Sequence, residues 1–314
     1  MKIIGHTGDS NLATVFIAED GRGRSIEFLE SVQPPLPREK KWVLIVSSLF
    51  GCPVRCPICD AGDHYKGRLS RRELFFQIDY LIERRYPDHI IPAEKFKIQF
   101  ARMGEPAYNE NVIDVLYELP QKYAAPGLMP CISTVAPLDA GCFFEHLLKV
   151  KKKLYDSAFQ LQFSIHTTDT AIRDKLIPIR KWNFDQIAEY GEDFYTNGSR
   201  QITLNFALIK GVPVDPTIIA EYFDPLIFFI KLTPLNPTYS ARNNGLFPGF
   251  NELDVQPAKV IAQGFRDAGF NVLISFGEIE ENKIGSNCGQ YVSRHIDGQD
   301  VLERGYGCRV INPA

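Results

Sequence analysis

Leu49-Phe50-Gly51-Cys52-Pro53-Val54-Arg55-Cys56-Pro57-Ile58-Cys59-Asp60-Ala61-Gly62 sets three cysteines at C-x3-C-x2-C spacing, directly after the apolar run Trp42 to Val46. Three thiolates on one loop suit three irons of a cubane [4Fe–4S] cluster, because thiolates are the usual iron–sulfur ligands. No fourth cysteine lies nearby in sequence, which leaves the fourth iron open to a small molecule. Two other readings compete. Cys52, Cys56 and Cys59 with His64 offer the four N/S ligands of a structural zinc site, but zinc sites usually come as paired C-x2-C knuckles and no second pair is present. A disulfide fits worse, since a long chain without a secretion signal has no need of such a staple.

The remainder of the sequence is that of an ordinary globular protein: 314 residues, 45% hydrophobic and 23% charged, enough for one large core. The start, Met1-Lys2-Ile3-Ile4-Gly5-His6, has no long apolar stretch, so no signal peptide is read. The densest apolar run, Leu226 to Ile230, is too short to span a bilayer. No membrane association is expected, and seven cysteines in such a chain point to a reducing, cytoplasmic setting. A net charge of -3 gives no general attraction to nucleic acid. Lys149 to Lys153 and Arg84-Arg85 are local basic runs, read as solvated helix faces.

Periodicity orders the rest. Leu12–Glu19 and Ser25–Val32 flank the turn signal Asp20-Gly21-Arg22-Gly23 and predict a hairpin. Gln33-Pro34-Pro35-Leu36-Pro37 reads as a rigid linker. Strand patterns then recur at Trp42–Ser47, Phe96–Ala101, Met129–Thr134, Leu161–His166, Ile202–Ile209 and Ile227–Leu232. Helical patterns at Arg71–Arg85, Asn111–Leu119, Phe143–Lys153, Phe184–Phe194 and Pro216–Phe223 separate most of them. Such alternation predicts an α/β protein with a parallel sheet. A further helix near Pro257–Ala268 and a strand near Asn271–Phe276 precede an irregular tail.

In barrels built this way, ligands sit where the strands end. Met103-Gly104-Glu105-Pro106 follows the second strand: the glycine permits close backbone approach and the carboxylate can accept from an ammonium group. Ser133-Thr134, Ser164-Ile165-His166 and Pro234-Leu235-Asn236-Pro237 end the third, fourth and sixth strands, with hydroxyls, an imidazole and an amide able to bind a polar ligand.

Together these motifs resemble the radical S-adenosylmethionine (SAM) superfamily. The runs Val46-Ser47-Ser48-Leu49-Phe50-Gly51-Cys52, Met103-Gly104-Glu105-Pro106, Ser164-Ile165-His166 with Ile172-Arg173-Asp174-Lys175-Leu176-Ile177-Pro178-Ile179, and Cys288-Gly289-Gln290 narrow it to the radical SAM methyltransferases of 23S rRNA and tRNA adenine. The similarity covers about residues 24 to 295. It implies a partial (β/α)6 barrel over residues 41–240, with a hairpin and Pro-rich linker at 1–40 and a helix, strand and Cys-Gly-Gln tail at 241–314. It implies Cys52, Cys56 and Cys59 as ligands of a [4Fe–4S] cluster, and SAM contacts at Gly104, Glu105, Ser133, Ser164, Ile165, His166 and Asn236. It implies that Cys288 is methylated by one SAM, and that a radical from a second SAM removes hydrogen from that methyl group. The resulting carbon radical then adds to an sp2 carbon. A reductant such as flavodoxin or ferredoxin is implied as partner. The proton-accepting glutamate of the family falls on Glu27, with Glu30 as the alternative.

Two departures are visible. The family has a resolving cysteine two residues before the Ser-Ser pair, where this chain has Ile45, which cannot do thiol chemistry. Cys131, next to Ser133, is the best candidate substitute, with Cys142 and Cys308 as alternatives, although each also reads as an ordinary buried thiol. The family also carries a helical accessory domain that grips RNA, whereas about two dozen residues precede Ser25, so the domain is expected to be absent. Three functions follow: methyl transfer through Cys288 to RNA adenine or a smaller substrate; radical chemistry on a small molecule or peptide without methyl transfer; or a non-catalytic metal- or partner-binding protein.

Overall fold

The computed structural model describes residues 1–32, 34–62, 64–276, 284–285 and 291–292. In chain order the strands are β1 (Lys2–Asp9), β2 (Ala13–Glu19), β3 (Ser25–Ser31), β4 (Trp42–Val46), β5 (Leu49–Phe50), β6 (Gly67–Arg68), β7 (Phe96–Phe100), β8 (Leu128–Thr134), β9 (Gln160–Ser164), β10 (Ile202–Leu208), β11 (Phe228–Pro234) and β12 (Asn271–Ile274). The helices are α1 (Arg71–Glu83), α2 (Asn111–Lys122), α3 (Gly141–Val150), α4 (Thr170–Leu176), α5 (Phe184–Phe194), α6 (Pro216–Tyr222), α7 (Tyr239–Asn243) and α8 (Gln256–Asp267).

Ten strands form one mixed sheet in the order β1-β2-β3-β4-β7-β8-β9-β10-β11-β12. β1 to β4 are antiparallel, and every pairing from β4 to β12 is parallel. This is the α/β, mostly parallel architecture that the strand–helix alternation predicts. The N-terminal unit differs from the expected hairpin: β1 adds a third strand, whose pairing to β2 slips between Ile3 and Gly5. At the other edge, β12 extends the parallel set to seven strands.

The two faces of the parallel region differ in chemistry. Leu44, Ile98, Ile132, Phe163, Leu204 and Leu232 are buried in one core with the helices' apolar stripes, such as Leu74 and Ile78 of α1 and Val112 and Leu116 of α2. Lateral pairing puts Gln99 beside Cys131, Ser133 beside Gln162 and Asn205 beside Ser164, on the opposite, polar face. Successive strand residues point to opposite sides, so these polar residues share one surface. α1 starts at a capping box, in which Ser70 and Glu73 each satisfy the other's backbone N–H.

Two basic runs depart from the solvated faces expected of them. α3 ends at Val150 in a single π turn, Lys151–Tyr155, which carries Lys151 inward to 2% exposure. Its ammonium meets the Thr196 hydroxyl and lies 5.4 Å from the Phe194 ring centre. Arg85 turns onto Glu30 at 2.8 Å. Among the thiols, Cys131 is buried as expected, whereas Cys142 is exposed. Cys308 lies outside the described residues.

Candidate active site

The cysteine loop springs from the end of β4 and is closed at its base by the two-stranded pairing of β5 with β6. Its root is held by side-chain amides. Gln77 of α1 accepts from the Ser47 N–H at 2.8 Å and donates to the Ser47 carbonyl at 3.0 Å. Asn109 donates to the carbonyls of Ser48 and Leu69 at 2.7 and 2.8 Å. Both amides are fully buried, so their bonds are made in a setting where an unmade one is costly. Gly51 has φ +77°, and a Cβ there would stand 2.8 Å from the Tyr65 backbone. Only glycine fits that turn.

Cys52, Cys56 and Cys59 are half-buried free thiols. Burial, then the charge of Cys59, pushes Cys52 up to about 12. Burial, then the charges of Cys59 and Cys52, pushes Cys56 well up. Burial raises Cys59 to about 11, against a backbone N–H from Ala61. Three sulfurs that hold their protons through burial and mutual repulsion become thiolates when a cation replaces those protons. The donor set of three loop sulfurs fits an iron–sulfur cluster.

Around this loop the structure collects most of the residues singled out in the sequence. Gly104 has φ +96°, and a Cβ there would fall 2.5 Å from Leu49 Cβ, so the β7 end lies directly on the strand that leads into the cysteines. The backbone of Glu105 lies close enough to Cys52 to lower its pKa slightly against burial. The Glu105 carboxylate is 4% exposed and accepts from Thr134 Oγ1 at 2.6 Å, Val135 N at 2.9 Å and Ala107 N at 3.0 Å. Burial raises its pKa to about 7 against these three donors. Such a carboxylate is fixed in direction and gains from a cation placed beside it.

Ser133 and Ser164 lie on the polar face, and Gln99 and Gln162 hydrogen-bond the Ser133 hydroxyl at 3.4 and 3.2 Å. Ile165 is fully buried, with its N–H on the Asn205 carbonyl at 2.9 Å. His166, at φ +66°, accepts the Ala207 N–H on Nδ1 at 3.2 Å, which leaves its proton on Nε2. Burial, then the nearby Arg173, lowers its pKa to about 4, so it is neutral. Asn236 follows β11 and is half-buried.

Sequence reading missed Asp60. Its carboxylate accepts from Tyr239 N at 3.2 Å and Ser240 N at 2.7 Å, and Thr238 Oγ1 donates to the Ile58 carbonyl at 3.0 Å. The cysteine loop is thereby tied to the start of α7, some 180 residues away. A carboxylate directly after Cys59 is the only local signal for this.

The two glutamates separate clearly. Glu30 is taken up structurally, by Arg85 at 2.8 Å and Trp42 Nε1 at 3.0 Å. Glu27 is fully buried beside the cysteine loop. One of its oxygens meets Arg102 at 2.9 Å, and the other accepts from Tyr291 N at 3.0 Å and Val292 N at 3.2 Å. Arg102 also donates to the Gly285 carbonyl at 2.8 Å. Burial raises the Glu27 pKa, opposed first by the Arg102 charge. Cys288 lies outside the described residues, between these two anchors in sequence.

Comparison with known proteins finds relatives at low identity. A probable dual-specificity RNA methyltransferase RlmN from Salinispora arenicola is 24% identical over 275 residues, covering 83% of this chain and 67% of its own. Those from Trichormus variabilis and Rhodococcus opacus are 28% and 26% identical, covering 73% and 92% of this chain and 64% and 76% of theirs. A crystal structure of a radical SAM methyltransferase from Sphaerobacter thermophilus superposes with a TM-score of 0.68 at 19% identity, covering 90% of this chain and 78% of that one. The chain is a relative of the RlmN-type radical SAM methyltransferases. That relationship makes it an enzyme, and members of the group use a [4Fe–4S] cluster and SAM. The chain spans about two thirds of the length of the first RlmN proteins it matches. No protein-family model matches it. No helix among the described residues is long and apolar enough to cross a membrane.

Proposed function

We propose that this RlmN relative is a radical SAM methyltransferase that carries the methyl group on Cys288 and delivers it to an sp2 carbon. Cys52, Cys56 and Cys59 would hold the cluster, in a partial (β/α)6 barrel whose inner surface is the polar face. Gly104, Glu105, Ser133, Ser164, Ile165, His166 and Asn236 would hold SAM, with Glu105 on its ammonium. When bound, the pair supplies a one-electron cleavage of SAM that yields the hydrogen-abstracting 5′-deoxyadenosyl radical. A small electron carrier such as flavodoxin or ferredoxin would supply that electron.

The observation that carries this reading is the meeting of Glu27 and Arg102 with residues 285, 291 and 292 beside the cysteine loop. Cys288 is three residues from Gly285 and three from Tyr291. The anchors on either side of it in sequence bind groups beside Cys59, which supports the reading that Cys288 acts there. In this arrangement Glu27 is a positioning residue, because its two oxygens are committed to Arg102 and to the backbone N–H groups that follow Cys288. The test is product analysis on anaerobic, reconstituted protein. Formation of both S-adenosylhomocysteine and 5′-deoxyadenosine is expected. 5′-Deoxyadenosine alone would favour the second reading, radical chemistry without methyl transfer, which Ile45 at the resolving position makes worth keeping.

Glu105 gives a sharper test of the SAM site. A charge-assisted hydrogen bond is worth about 1.5–3 kcal/mol. Glu105→Ala is expected to weaken SAM binding roughly tenfold or more, as read by calorimetry, while iron content is unchanged. Unaltered SAM affinity would remove Glu105 from the site.

Release of product raises the question of a second thiol. Cys131 shares the polar face with Ile45, one strand beyond Gln99. It is fully buried, however, and its sulfur is occupied by the Gln162 amide at 2.9 Å. Cys131→Ser is therefore expected to retain turnover, with release through an external thiol or direct fragmentation. A covalent protein–substrate adduct accumulating in that variant, seen by intact mass, would assign resolution to Cys131 instead.

A further inference from the structure

Lys95, Lys97 and Gln99 alternate along β7 and its lead-in, so all three point to the polar face. Lys95 belongs to the same ladder, since its carbonyl accepts the Trp42 N–H at 3.0 Å. Both lysines are half-buried. The side chains of Lys95, Lys97 and Arg200 make no hydrogen bond to, or ion pair with, any described residue. Instead they crowd one another. Burial, then Arg200, Lys41 and Lys97, drives the Lys95 pKa down to about 8. Holding unpaired cations together on a half-buried surface is unfavourable in the empty protein, and an anion placed among them reverses the sign of that interaction.

The surroundings suit a polar ligand. Above Lys97 on the same face, Gln99 reaches Ser133, and Gln162 links Cys131, Ser133 and Asn205. At a rise of about 3.3 Å per residue, Lys97 and Lys95 lie roughly 10 and 17 Å below the Phe100 end of β7, where the cysteine loop stands. That is the length of a small molecule with an anionic group at one end and its reacting carbon at the other.

We propose that Lys95 and Lys97, with Arg200 beside them, bind the phosphate group of a small phosphate-ester substrate on the polar face of the sheet. The assignment rests on the radical SAM methyltransferase reading only for the word substrate; the phosphate site itself does not depend on it. Compact cations that are not bidentate partners of carboxylates suit a phosphate as point charges. Gln99 and Gln162 offer neutral hydrogen bonds to the body of the molecule.

The experiment uses the full chain, with inorganic phosphate, adenosine 5′-monophosphate and a single-stranded RNA oligonucleotide as probes in calorimetric titrations. Saturable binding of phosphate and of the nucleotide is expected. Lys95→Gln with Lys97→Gln should weaken it at least roughly tenfold, and the corresponding arginine variants should retain it. SAM affinity and iron content are expected to be unchanged in all of them. Relief of like-charge repulsion should raise the melting temperature of the glutamine variant, so loss of folding does not mimic the result. No saturable phosphate binding, equal affinity in the glutamine variant, or binding of the RNA oligonucleotide in clear preference to the nucleotide would overturn the proposal. Phosphate binding that depends on Lys95 and Lys97 in a protein that does not cleave SAM would leave the site standing and defeat the methyltransferase reading alone.

Discussion

Cys56→Ala protein, reconstituted without oxygen, is expected to lack the brown chromophore of the wild type and to produce no 5′-deoxyadenosine. The wild type should hold about four irons and four sulfides. Cys56 is the middle of the three proposed ligands, and its thiol feels the charges of both Cys59 and Cys52. Removing it leaves two sulfurs on the loop, too few for three irons of the cluster. Fold should survive, because the loop is anchored elsewhere, by Gln77, Asn109 and Asp60. Circular dichroism and iron analysis therefore separate cluster loss from unfolding. A variant that keeps its iron, or wild-type protein that takes up tetrahedral zinc and no iron, would defeat the cluster assignment.

Cys288→Ala is expected to abolish methyl transfer while sparing the cluster. Before turnover, the wild-type chain should carry one added methyl group on Cys288, detectable by peptide mass spectrometry, because the carrier has to be charged before hydrogen is taken from it. The alanine variant should still bind SAM, since the proposed SAM contacts Glu105, Ser133 and His166 are untouched. Methylated product from Cys288→Ala would discard the carrier mechanism and promote radical chemistry without it.

How much of this the chain announces depends on how local each signal is. The cysteine loop is legible because all three sulfurs lie within eight residues. The parallel strands β4 and β7 to β11 are legible because they are apolar runs with turn residues between them. β1 is harder: its alternation is broken by Gly5, where the pairing slips, and by Gly8 at φ +115°. α4 is seven residues long, too short for a clear helical period, and betrayed only by Asp169 capping Ile172 N. The residues that hold the site together are legible least of all. Asp60, Gln77, Asn109 and Arg102 each act on backbone groups far away in sequence, 183 residues away for Arg102 and Gly285. Periodicity carries no information about such contacts. Glu27 and Glu30 look alike along β3, three residues apart, and only burial beside Cys59 for one and the Arg85 fork for the other tells them apart.

Glu27 and the N–H groups of Tyr291 and Val292 are 264 and 265 residues apart. On a ribosome the carboxylate therefore emerges long before its last two donors. Until they arrive, a buried anion has only Arg102 for company, and breaking up such a group is worth about 3–5 kcal/mol. The pocket wall beside Cys59 is thus completed late, when Tyr291 and Val292 arrive. In the proposed enzyme, cluster insertion into the loop would have a natural window before those last donors are made.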